Sequence, residues 1–428
     1  MSSDPPPWTP GTAELSLGPD GSPENPLLVL SLDQWETASP DRIARTAASL
    51  SASLRLTIGV LRRPPTPALA PLLRALTLTL VASETTPSTT VAASRGSSMP
   101  RSQLDVSAGA PPSVDSVTAT IPGSPSPSPR RRPTTPNSQR SPGAAVEVDA
   151  LADQVSANLD LFTVECTDVD EALTRLRAAV DRSPRASVAL GRLLRQTPDL
   201  DTVSGLAAEA ATYSMLLSGT EFARWLSERG SPRAEAASDR PLVRVDRDGD
   251  RLEILLDHPE RRNALSFRLR EELLDAVGLV AYDPEIAKVD LRGAGPAFCS
   301  GGDLDEFGTA TDLTAAYLVR LERAPWRVID AVRDRVTAHV HGACIGAGME
   351  MAAFAGAVIA APDTVFRLPE IDMGLVPGAG GTVSVPRRIG RWRAAWLMLT
   401  GLPLDARTAL RWGLVDALDH RPDTASMR

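Results

Sequence analysis

The chain has 428 residues, with 45 Lys+Arg against 53 Asp+Glu and a formal charge of −8. That acidic balance argues against a nucleic-acid partner, which needs a basic excess. Three separated cysteines (Cys166, Cys299, Cys344) with no metal or disulfide spacing, no signal-peptide pattern and no apolar run long enough to span a bilayer predict a cytoplasmic protein without a membrane partner.

Residues 1–25 are rich in Pro, Ser and Gly and read as a disordered tail. Residues 26–83 read as a small α/β unit. A strand is predicted over 27–32, then a helix over 39–54 with Ser39 as its cap and Pro40 in its first turn, then strands over 54–61 and 76–81. Residues 84–145 are a Ser-, Pro-, Thr- and Arg-rich tract that cannot bury enough apolar area to offset chain entropy, so a disordered linker is expected. Its Arg130-Arg131-Arg132 run reads as solvated charge.

Residues 146–235 read as mostly helical after one strand near 161–166. Met215, Leu216, Leu217, Phe222 and Trp225 recur at helical spacing and are assigned to the core, and nothing before residue 236 reads as chemical. A boundary is expected at 231–240. Beyond it come a hairpin turning at Asp248-Gly249, an amphipathic helix, a strand over 288–295, a Gly-rich loop AFCSGGDLDEF, a mostly helical stretch over 312–332 and a strand over 335–342.

Two strand-to-helix passages are rich in small residues, one at 298–303 and one at 342–348. Such turns let backbone approach a ligand and aim free helix N–H groups at it. Either could equally be an ordinary α/β turn, and neither matches a phosphate-binding fingerprint. Glu350 and Glu370 lie about twenty residues apart, each beside a tight backbone feature, which suggests paired acid–base chemistry. His339 and His341 form an H-x-H pair without an evident third ligand, so no metal is expected. Cys299 and Cys344 fit as small residues, and Asp303 and Glu306 suit a helix start.

AFCSGGDLDEF, then VHGACIGAGMEMA, then FRLPEIDMGLVPGAGGT, with HPERRNALS ahead and LTGLPLDARTALRWGLVD behind, resemble the enoyl-CoA hydratase/isomerase (crotonase) superfamily over 242–416. The resemblance implies an α/β spiral of repeated ββα units over 241–420; the residues ahead of it, an extension that most members lack, read on their own pattern as a mixed α/β and helical domain with a disordered insert. It implies an acyl-CoA substrate, with coenzyme A as part of that substrate and no further cofactor. An oxyanion hole would come from the N–H groups of Ser300 and Ala347, and acid–base work from Glu350 and Glu370. Arg262, Ala264, Gly301, Gly302, Asp303, Leu304, Gly346 and Gly378 would lie along the substrate. Hydration or isomerisation of a 2-enoyl-CoA, as in fatty acid metabolism, is the expected activity. Thioester hydrolysis, cofactor-free dioxygenation and a non-catalytic acyl-CoA-binding role stay open, as does a homo-oligomer. Family members usually carry helices after the GLVD motif, whereas this chain has twelve residues after Asp416. The helices of 146–230 are expected to take their place.

Overall fold

The computed structural model describes residues 10–83, 159–232 and 240–419. The first nine residues of the predicted tail, the predicted linker and the last nine residues of the chain lie outside the described residues. Residues 10–25, expected in the tail, are instead tied down: Ser53 Oγ donates to the Ala13 carbonyl at 2.6 Å and Arg55 to that of Thr12 at 2.7 Å.

Strands β1 (Leu27–Ser31), β2 (Leu56–Leu61), β3 (Leu78–Ala82) and β4 (Thr163–Cys166) form a parallel sheet in the order 1-2-3-4. Helices α1 (Pro40–Ala52) and α2 (Ala70–Ala75) supply the crossovers that parallel pairing requires. β2 is buried at every position, so LTIGVL is apolar but for Thr57, whose hydroxyl accepts from Thr77 N at 3.1 Å. Ser39 stands at the start of α1, but its hydroxyl makes no capping bond. β4 pairs with β3 across more than eighty residues of sequence. The predicted strand near 161–166 therefore belongs to the first sheet, a pairing that a four-residue strand does not advertise.

Four helices follow: α3 (Val169–Arg182), α4 (Pro184–Gln196), α5 (Thr202–Leu217) and α6 (Thr220–Arg229). Asp168 caps α3 through the N–H groups of Asp170 and Glu171, and Asp201 caps α5 through that of Ser204.

From residue 240, β5 (Val243–Asp248) and β6 (Arg251–Leu256) form the expected hairpin, and α7 (Phe267–Tyr282) follows. Next come β7 (Lys288–Gly293), β8 (Ala297–Cys299), α8 (Leu313–Glu322) and α9 (Pro325–Ala331). The pattern repeats as β9 (Val336–Val340), β10 (Ala343–Ile345) and α10 (Ala347–Ala352). It repeats again as β11 (Ala357–Ala360), β12 (Val365–Arg367) and α11 (Gly381–Thr400), before β13 (Leu404–Asp405), α12 (Ala406–Trp412) and β14 (Ala417–Leu418). The first strand of each repeat joins a six-stranded sheet, 14-11-9-7-6-5, and the second a four-stranded sheet, 13-12-10-8. This is the predicted spiral of ββα units.

α11, broken into two helical segments at Gly390 (φ 77°, ψ 151°), is the stretch both parts of the chain share. Its first turn meets α4 and α5, where Thr197 Oγ1 donates to the Thr382 carbonyl at 2.7 Å. Further along, Arg391 and Trp392 donate to the carbonyls of Leu76 and Leu73, each at 3.0 Å. One hydrophobic core runs from Leu56 and Leu78 through Leu194, Leu206 and Phe222 to Val383, Ile389 and Val415.

Candidate active site

The site is built at the start of α10. Gly346, just before it, has φ 48° and ψ −124°, a conformation that L side chains rarely adopt. A Cβ there would also lie 2.8 Å from Glu370 Oε1. The turn directs Glu350, in the first turn of α10, into the interior, where it is 2% exposed. Glu370 opens the 3-10 turn Glu370–Met373 after Pro369 and is 8% exposed. Its Oε2 is buried and has no hydrogen-bond partner among the described residues.

A third carboxylate arrives from α5. Glu209 is buried and reaches the first turn of α11. Helix starts leave N–H groups without intrahelical acceptors, and here two acids divide them. Glu350 Oε2 accepts from Ala379 N and Gly381 N, each at 2.8 Å. Glu209 accepts from Gly380 N at 2.6 Å, and from Thr382 N and Oγ1 at 2.8 and 2.7 Å. Successive amides alternate between the two side chains.

Burial is the largest influence on all three acids, and it favours the neutral form. Glu350 is pushed well above the usual carboxylate range by burial and by the charges of Glu370 and Glu209, against the two amide bonds. Burial raises Glu370 to about 8, with repulsion from Glu209 adding to it. Burial raises Glu209 to about 7, against its bonds from Thr382 and Gly380 and the charge of Arg320. These groups interact, so their protons leave in steps that belong to the cluster.

Glu350 and Glu370 face a cavity of about 270 Å³. Of the residues expected along a substrate, Ala347, Gly302, Asp303 and Gly378 line it; Ser300, Arg262, Ala264, Gly301, Leu304 and Gly346 do not. Tyr213 and Leu217 of α5 and Phe222 and Leu226 of α6 form one wall of it. The expectation that nothing before residue 236 is chemical is therefore corrected. Leu216 and Phe222 are in the core as assigned, with Leu217 and Trp225 packed against it; Leu217 and Phe222 also line the cavity, whereas Met215 points outward at 58% exposed. Glu209, Tyr213 and Leu217 repeat every four residues, so a single stripe of α5 carries acid, ring and wall. That spacing is the signal the sequence offered.

The two expected oxyanion donors differ from each other. Ala347 N–H opens α10 and has no acceptor among the described residues. Ser300 N–H already donates to the Arg262 carbonyl at 3.0 Å, so the expected second donor is engaged. Arg262 and Asn263 make this possible by turning consecutively through left-handed conformations, with φ of 53° and 54°. Asn263, part of the HPERRNALS motif, holds the turn. Its Oδ1 accepts from His258 N at 2.8 Å, and its Nδ2 donates to the carbonyls of Ala294, Ala297 and Phe298 at 2.9, 2.8 and 3.1 Å. The Asp303 carboxylate is bound to Arg261 at 2.7 Å and accepts from Asp305 N at 3.0 Å.

His339 is held by Asp290 at 2.6 Å and His341 by the Gly295 carbonyl at 2.9 Å. Among the described residues no group of three acidic, histidine or cysteine side chains is placed to hold a metal ion. Burial pushes the Cys299 thiol up to about 12 and Cys344 well above its ordinary value, which makes both poor nucleophiles. No helix among the described residues is long and apolar enough to cross a membrane.

Residues 250–425 match the family described as enoyl-CoA hydratase/isomerase. A probable enoyl-CoA hydratase of Mycobacterium bovis is 37% identical over 163 residues, 38% of this chain and 62% of the relative. The probable enoyl-CoA hydratase EchA14 of Mycobacterium tuberculosis is 33% identical over 175 residues, 41% of this chain and 68% of the relative. The crystal structure of an enoyl-CoA hydratase from Thermoplasma volcanium is 32% identical, covers 42% of this chain and 73% of its own, and superposes with a TM-score of 0.40. The matched stretch thus spans a little under two thirds of the length of the first of these relatives.

Proposed function

This chain belongs to the enoyl-CoA hydratase/isomerase family, and on that premise we propose that it adds water to a 2-enoyl-CoA in the cytoplasm, with no cofactor beyond the coenzyme A of its substrate. The observation that carries the reading is the pair of buried carboxylates, Glu350 and Glu370, facing one cavity beside the unengaged Ala347 N–H. The thioester oxygen takes the Ala347 N–H. It takes that of Ser300 as well when the Arg262 carbonyl yields it. This polarisation makes the β-carbon electrophilic and stabilises the enolate oxygen that develops.

Burial and the neighbouring acids hold Glu350 well above the usual carboxylate range, so it acts as base only in its ionised form, which two amide donors stabilise. It orients a water and takes its proton as the oxygen bonds to the β-carbon. The alkene electron pair moves into the enolate. Glu370, raised to about 8 and so protonated at neutral pH, gives its proton to the α-carbon as the enolate collapses. The sum is one water added; Glu370 leaves ionised and Glu350 protonated, and exchange with solvent restores them.

The test follows loss of enoyl absorbance with crotonyl-CoA and longer 2-enoyl-CoA esters. Turnover is expected, with kcat falling by about 10²–10⁴ in Glu350→Gln and in Glu370→Gln. Activity that survives both substitutions together would refute the assignment.

A further inference from the structure

The proposed hydration uses one end of the cavity and leaves a cation in it unexplained. Arg320 lies seven residues after Leu313 on α8, and both residues line the cavity. Its guanidinium carbon sits 3.9 Å from the centroid of the Tyr213 ring. Its Nε is buried without a hydrogen-bond partner. No carboxylate makes a salt bridge with it among the described residues. The cavity's other arginine differs: Arg270 is paired with Glu271 at 2.9 Å. Glu209 is close enough to feel the charge of Arg320, but its oxygens are already occupied by Gly380 and Thr382, and no bond runs from the arginine. A guanidinium has five donors in a planar fork that fits a carboxylate in two places at once. One that has the Tyr213 side chain and the charge of Glu209 near it but no carboxylate bridging its fork makes a poor neighbour for a hydrocarbon tail, which would strip its water and return no acceptor.

Tyr213 orders these groups. Its hydroxyl is affected by Arg320 and by both Glu370 and Glu350, and its ring packs on Gly378, where a Cβ would lie 2.4 Å from it. Arg320 thus reaches the cavity from α8 against the face of the Tyr213 ring, whereas Glu350 and Glu370 reach it from α10 and the turn at Glu370.

We propose that Arg320 selects acyl groups bearing a carboxylate at the end remote from the thioester, so that the substrate is the coenzyme A ester of a dicarboxylic acid. The Tyr213 ring orients the fork, and the substrate carboxylate supplies the acceptor that the protein withholds. This rests on the acyl-CoA reading above and deepens it.

The test compares pairs of 2-enoyl-CoA esters of five, seven and nine acyl carbons, one member ending in a methyl group and the other in a carboxylate. At the best length the carboxylate member should have a kcat/KM higher by about tenfold or more, the size of one charged hydrogen-bonded pair. Arg320→Met should bring that ratio to about one, and Arg320→Lys, which keeps charge but loses the fork, should give an intermediate ratio. Absence of preference at every length in the wild-type protein, or a ratio that survives Arg320→Met, would overturn the proposal. Calorimetry with saturated pairs of the same lengths separates it from the hydratase reading. Tighter binding of carboxylate esters without turnover of any enoyl ester sustains the role of Arg320 while hydration fails. Equal binding of both members rejects the role of Arg320 whatever the turnover.

Discussion

Glu370 holds its proton to about pH 8 in the folded chain, against an ordinary value of 4.5. The sign of this linkage is fixed. Below pH 4.5 the group is neutral in both states and costs nothing. Between 4.5 and about 8 the unfolded chain gives up the proton while the folded one keeps it, so stability falls as pH rises. Denaturation midpoints measured from pH 4.5 to 8.5 should decline across that window, and Glu370→Gln should flatten the decline. Activity reads the same group, since loss of its proton should bring kcat down above pH 8. Glu209 raises Glu370 by repulsion, so Glu209→Gln should move the alkaline limb of the kcat profile to lower pH. An unmoved limb would reduce Glu209 to a structural tie. Glu350 and Glu370 were readable from residues because each is tied to a local backbone feature that glycine and proline announce. Glu209 was not, because one acid on a helix looks like any solvent-facing residue until the fold brings α11 against it.

At the scale of elements, the chemistry depends on two backbone arrangements. The first is the start of α11, where Gly381 packs directly on Glu350: a Cβ there would lie 2.6 Å from Glu350 Cγ and 2.7 Å from Oε2. Gly381→Ala must displace the carboxylate, and a shift of about 1 Å at a reacting group can cost about 10²-fold in rate. A kcat loss of that order with little change in melting temperature is expected, because the helix conformation itself tolerates alanine. The second is the turn at Arg262-Asn263. Removing the Asn263 amide leaves the His258 N–H and three carbonyls short of a partner in a buried place. Asn263→Ala should therefore destabilise the protein by about 1–3 kcal/mol, read as a lower denaturation midpoint. Strand-helix order was legible because apolar runs and glycine turns are local signals. That Ser300 N–H is engaged was not, since it depends on where Arg262, thirty-eight residues earlier, presents its carbonyl.

The whole molecule has one property that neither part has alone: α11 serves the ββα spiral at its first turn and, beyond its break at Gly390, the N-terminal sheet. Glu209, Thr197, Leu73 and Leu76 all bond to it from the first 235 residues. Val383, in its first turn, lies close enough to Gly205 that a Cβ there would come within 2.9 Å of it. The sequence shows two regions of different composition, and composition cannot reveal that their apolar faces pack into a common core. Separating the chain at residue 235 should expose the apolar side of α11 and remove the wall formed by Tyr213, Leu217, Phe222 and Leu226. It should also leave the amides of Gly380 and Thr382 without acceptors. Residues 236–428 expressed alone should aggregate or lack activity toward enoyl-CoA esters. Co-expression with residues 1–235 as a separate polypeptide should recover soluble, active protein, because the lost contacts are non-covalent. A soluble and fully active C-terminal fragment would show that the first region is dispensable. A cleaved pair that associates but stays inactive would show that Glu209 and the wall need the covalent chain to be held in place.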